Sequence, residues 1–80
     1  MTIDELERRL KNLKLPYRNY CLKGGYLEDG ICLFQKDGIW EVYYCERRKK
    51  TMIAMFYNEN DAGEYMFCIY KKEADNYRWF

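Results

Sequence analysis

The chain has 80 residues, a formal net charge of +1, and neither histidine nor serine. That length makes one small domain, which needs a core dense in large side chains; an aromatic content of 19%, led by nine tyrosines, meets the need. The lack of histidine removes Ser-His-Asp and Cys-His catalysis. The near-neutral charge argues against a dedicated nucleic-acid binder, and no apolar run approaches the ~20 residues of a membrane span.

Thr2-Ile3-Asp4-Glu5 has the form of a capping box. Ile3, Leu6, Leu10 and Leu13 follow at helical spacing, with acids early and Lys11 and Lys14 late, as the helix dipole favours. Pro16 is expected to end this helix near Lys14. The start, MTIDELERRL, has no apolar h-region and does not read as a signal peptide. Tyr17 to Leu22 reads as a short strand, and the glycine-rich stretch from Lys23 to Gly30 as a loop. Ile31 to Lys36 and Ile39 to Glu46 read as a hairpin around Asp37-Gly38, a pair suited to positive φ. Arg47 to Lys50 reads as the next turn, and Thr51 to Tyr57 as a further strand. Asn58 is a good N-cap for a second helix, with Glu59 and Asp61 in its first turn and Ala62, Tyr65, Met66 and Ile69 on its buried face. The expected fold is α+β, in the order α-(β)-β-β-β-α. A three- to four-stranded antiparallel meander then carries an N-terminal and a C-terminal helix.

Cys21, Cys32, Cys45 and Cys68 are far apart, with no Cys-x-x-Cys pair and no histidine to complete a familiar zinc site. They read as reduced, mostly buried thiols of a cytoplasmic protein, with no metal or other cofactor.

The Asp37-Gly38 turn sets Leu33 opposite Val42 and Cys32 opposite Tyr43. A following turn centred on Arg48-Lys49 would set Glu46 against Thr51, Tyr44 against Ile53 and Val42 against Met55. One face then carries Ile31, Leu33, Trp40, Val42, Tyr44, Ile53 and Met55, fit for packing under helices. The other carries Cys32, Phe34, Ile39, Glu41, Tyr43, Cys45, Met52, Ala54 and Phe56. A solvated antiparallel face should alternate with polar residues, and this one does not. Either the N-terminal segment or the tail from Tyr77 to Phe80 covers it, or it receives a protein partner. On the second reading Tyr43, Phe34 and Phe56 lie near the centre of the interface, with Glu41 the single acid among them.

Two charge clusters stand out. Arg47, Arg48, Lys49 and Lys50 are placed to meet phosphates, or form a solvated turn. Glu28 and Asp29 in the glycine loop, with Glu59, Asp61 and Glu64 at the second helix, offer an acidic surface to a basic partner. From Thr51 to Tyr70 there is no Lys or Arg. Helix-dipole complementation alone accounts for Glu59 and Asp61. The element order is similar to that of double-stranded-RNA-binding domains, but Asn58-Glu59-Asn60-Asp61 stands where their basic cluster grips phosphate, and acids there repel RNA. The three strands and last helix also resemble plant-type and integrase-type DNA-binding sheets, although these strands carry too few cations. Carboxylate pairs have no distinctive spacing, and Gly24-Gly25 is too short for a phosphate loop, so catalysis is not expected.

Trp40-Glu41-Val42-Tyr43-Tyr44-x-Glu46-Arg47, then Phe56 and Asn58-Glu59-x-Asp61-Ala62, resembles small immunity proteins of bacterial polymorphic-toxin and contact-dependent growth-inhibition systems. There a WEVYY-x-ERG hairpin precedes a Phe, an acidic cap and a helix; here Arg48 stands in place of the glycine. The resemblance covers about the C-terminal half. It implies a cognate inhibitor that binds and occludes a toxin domain, commonly a nuclease, without a cofactor. It fixes no contact residue, because such interfaces diverge with their toxins.

Overall fold

The structure, a computed structural model, describes residues 1–13, 15, 20–25 and 29–77, with the side chains of all of these but 76 and 77. Helix α1 (Ile3–Asn12) leads into strand β1 (Tyr20–Cys21). Strands β2 (Asp29–Lys36), β3 (Ile39–Glu46) and β4 (Lys49–Phe56) follow, and helix α2 (Glu59–Tyr77) ends the order. The four strands form one sheet in the order β1-β2-β3-β4. The architecture is α+β as expected, with one correction. β1 runs parallel to β2, Tyr20 opposite Ile31 and Cys21 opposite Cys32, so the sheet is mixed rather than wholly antiparallel. Among the described residues, no helix is long and apolar enough to cross a membrane.

Local chemistry accounts for most element boundaries. The Glu5 N–H donates to Thr2 Oγ1 at 3.2 Å, the N-cap bond of the capping box. Leu6 and Leu10 are buried, and Ile3 and Leu13 pack at the margin of the same core. The Asp61 N–H donates to Asn58 Oδ1 at 2.8 Å, which caps α2. Along α2 the buried apolar side chains among the described residues are Ala62, Met66, Tyr70 and Ala74. Their spacing of four continues one stripe of a helix. Of the expected face, Ala62 and Met66 are buried and Ile69 packs at the core margin, whereas Tyr65 lies on the flank and meets the Phe56 ring, centroids 5.3 Å apart. Gly63 is explained by the amino-terminal Met1 rather than by the sheet: a Cβ there would stand 3.0 Å from Met1 Cγ.

Both helices cover one face of the sheet. Leu6, Leu10, Ile31, Leu33, Val42, Ala62, Met66 and Tyr70 make the main core. Tyr70 reaches from α2 to β2 and β1, where its hydroxyl accepts the Ile31 N–H at 3.2 Å and its ring meets Tyr20 edge-on. Burial drives the Tyr70 pKa upward.

The first hairpin has the expected register, with Lys36 opposite Ile39, Leu33 opposite Val42 and Cys32 opposite Tyr43. Asp37 and Gly38 take φ of 53° and 79°, as a primed turn requires. The second hairpin differs. Its turn is the pair Arg47-Arg48, with φ of 50° and 67°, so Glu46 faces Lys49 and Tyr44 faces Thr51. A bulge then intervenes: Tyr43 pairs with Met52 and Val42 with Ala54, which leaves Ile53 as the extra residue. The turn shift moves the register by two residues and keeps the faces, so Met52 stays where expected; the bulge alone reverses the expected faces of the residues beyond Ile53. Ala54, opposite Val42, and Phe56, opposite Trp40, belong to the helix side; Met55, opposite Glu41, belongs to the other.

Candidate interaction surface

The face turned away from the helices has two parts. Towards β1 it is a small second core of Cys32, Tyr43 and Cys45, with Cys21 packed beside it. Its cover is the glycine loop, not the N-terminal segment; residues 78–80, the other expected cover, lie outside the described residues. The Gly24 N–H donates to Leu33 O at 2.9 Å and anchors the loop to β2. Tyr43 Oη donates to Gly25 O at 2.7 Å, and the Cys21 thiol is directed at Gly24 O. Gly24 has φ +78°, and a Cβ there would fall 2.5 Å from Phe34 Cδ1. Only glycine lets the loop lie this close to the ring. The Cys32 and Cys45 sulfurs are 3.8 Å apart. Burial first, then the hydrogen bond to Cys45, pushes the Cys32 thiol up to about 12. Burial likewise raises the Tyr43 phenol. These groups therefore remain neutral at physiological pH.

Towards β4 the same face is open. Phe34, Met52 and Met55 are 36%, 41% and 62% exposed. Met52 stands opposite Tyr43 and Met55 opposite Glu41, so both methionines share the face with Glu41. Lys50 Nζ lies 3.2 Å from Glu41 Oε1 and 4.5 Å from the Tyr43 ring centroid. This pair crosses the patch without covering it. Ile53 at the bulge is also exposed, and Tyr57 beyond β4 is 87% exposed.

The expected contact residues are distributed unevenly over this geometry. Phe34 and Glu41 lie on the open face. Tyr43, expected as an anchor, is only 2% exposed beneath the glycine loop, and Phe56 lies under α2. Glu28 falls outside the described residues. Asp29 starts β2 opposite Glu46 and accepts a hydrogen bond from the Tyr44 hydroxyl, which pushes the Tyr44 pKa up to about 12. Asp29 therefore lies at the opposite end of the sheet from Glu59, Asp61 and Glu64 at the start of α2. Glu59 is engaged internally: its Oε2 accepts the Ile3 N–H at 2.9 Å. Asp61 and Glu64 are exposed, and Asp61 Oδ2 also accepts from Asn58 Nδ2 at 3.0 Å. Of the basic run, Arg47 and Arg48 form the exposed turn, while Lys49 and Lys50 begin β4.

The open methionines were only half visible in the sequence. Strand alternation alone puts Met52 on this face, but the bulge that brings Met55 to it has no signature in residue type. Among the described residues, no group of His, Cys, Asp and Glu has the geometry to hold a metal. The surface offers apolar area, one ion pair and flanking charge, which suit adhesion to another macromolecule. No family model, no curated protein and no solved structure matches the chain.

Proposed function

We propose that the chain is an immunity protein that binds a cognate bacterial toxin domain, a nuclease by class, and neutralises it in the cytoplasm by stoichiometric occlusion. The carrying observation is the open half of the sheet, where Phe34, Met52 and Met55 stay exposed around the Glu41–Lys50 pair. Monomeric proteins seldom leave such a patch without a use. An apolar centre with a polar rim is the usual anatomy of a protein interface. Asp61 and Glu64 add negative charge suited to a basic, nucleic-acid-binding partner. The resemblance over the second hairpin and the start of α2 supplies the class of partner.

The deciding experiment looks for a large secreted protein encoded beside the chain and co-expresses the chain with its C-terminal domain. Growth should be rescued, the two should co-purify at equal stoichiometry, and Met55→Lys should weaken the complex while the fold survives. If the toxic domain arrests growth equally with and without the chain, the reading fails. Steeply salt-dependent binding to nucleic acid instead would favour a nucleic-acid module built on the basic turn. In that module Arg47, Arg48 and Lys49 would carry the contacts, since Lys50 is held by Glu41 and Tyr43.

A further inference from the structure

Among the described residues the outer edge of β4 has no neighbouring strand, because β4 closes the sheet order. Free edges are commonly guarded by lysine or proline. Here the stretch from Thr51 to Phe56 has neither and carries no charge. Lys50 is drawn onto the face by Glu41 and the Tyr43 ring, and Lys49 stands at the end of the strand. The exposed residues Met52, Ile53 and Met55 occupy the middle.

The two ends of this edge carry opposite charge. Arg47 and Arg48 form the turn before β4, and Asp61 lies in the first turn of α2 after it. Asp61 is four residues before Tyr65, whose ring packs on Phe56, so Asp61 falls on the β4 side of the helix. The turn is also strained. Both arginines hold positive φ, where glycine or asparagine is cheaper, and strain of this kind is retained where it serves a function.

We propose that β4 pairs antiparallel with β4 of a second copy of this chain across a twofold axis. A basic-to-acidic edge read in reverse against itself is complementary at both ends. Setting Met52 opposite Met55 of the second copy keeps both on the open face and places the axis at the bulge, between Ile53 and Ala54. The same register brings the arginine turn of each copy to the start of α2 in the other, beside Asp61. Two four-stranded sheets become one, and the methionine patches become continuous across the axis. An isologous contact of this kind closes on itself and stops at the dimer. It is independent of the toxin-binding reading, because the test uses the chain alone.

The test is sedimentation velocity of the full chain at low ionic strength, up to high micromolar concentration, for wild type, Arg48→Glu, Asp61→Arg and an equimolar mixture of the two variants. Wild type should form a dimer. Each variant alone sets like charges together at both ends of the contact and should dimerise about tenfold or more weakly. In the mixture Glu at 48 meets Arg at 61, and Arg48 meets Asp61, so association should return to near the wild-type level. Both positions are exposed, and recovery in the mixture itself shows that the variants are folded. A wild-type chain that stays monomeric, variants that dimerise as wild type does, or a mixture no stronger than its components would each overturn the proposal.

Discussion

The two faces of this sheet solve the same problem by different means. The helix side buries aliphatic side chains against Leu6, Leu10 and Met66, and its order comes from area removed from water. The other side has thiols and a tyrosine under a loop, held by backbone carbonyls at Gly24 and Gly25, and leaves its methionines exposed. Stability on the first side is spread over many contacts; on the second it is concentrated in a few polar ones. The open half of the second side carries little of it. A surface that gives so little to the fold is free to change with a partner.

Four measurements break or sharpen this contrast. Leu33→Ala, fully buried under both helices, should cost about 2–5 kcal/mol in urea unfolding. Gly24→Ala should cost about 1–3 kcal/mol, because φ +78° and the Phe34 ring both oppose a side chain there. Amide exchange should quicken in the glycine loop more than in the helices. Tyr43→Phe removes the bond to Gly25 O and should cost about 1 kcal/mol, with the same local loosening. Met55→Lys should stay within about 0.5 kcal/mol of wild type, as an exposed surface change does. A large loss from Met55→Lys, or none from Leu33→Ala, would erase the distinction between the faces.

The thiol side should also set the alkaline limit. The Cys32 pKa is raised from 9.0 to about 12 in the folded chain, so the unfolded chain releases that proton first. The raised Tyr43 phenol acts in the same direction. Their contribution is complete below about pH 9 and falls as the pH climbs from there towards 12. Cys32→Ala should flatten the fall in a pH series of urea midpoints.

Much of the fold was legible where residue chemistry acts locally. Thr2 and Asn58 cap the helices they precede, and Asp37-Gly38 imposes the first register. The second register was not legible. Arg47-Arg48 has neither the glycine nor the asparagine that marks a primed turn, so its position follows from the pairing of whole strands rather than from its own preference. The same holds for the extra residue Ile53, which moved Phe56 under α2 and Met55 into the open. Tyr70, the glycine-loop cover and the parallel pairing of β1 depend on residues brought together from distant segments. Of the candidate contacts, Phe34, Asp61 and Glu64 are exposed, Glu41 is half-buried and paired with Lys50, Tyr43 and Phe56 are covered, and Glu59 is engaged within the fold.

The bond from Ile3 to Glu59 spans 56 residues of chain, and Gly63 makes room for Met1 beside it. The amino end of α1 is thus assembled from the first turn of α2. A helix of 10 residues is too short to persist alone, so α1 gains its order from a surface that exists only once the sheet and α2 have met. In kinetic terms α1 is expected to dock late, because its closure entropy must be met before its contacts repay it, and substitutions in it should change the unfolding rate more than the folding rate. By the same reasoning it is expected to be the first element to leave, and native-state amide exchange should show α1 opening at a lower free energy than the sheet.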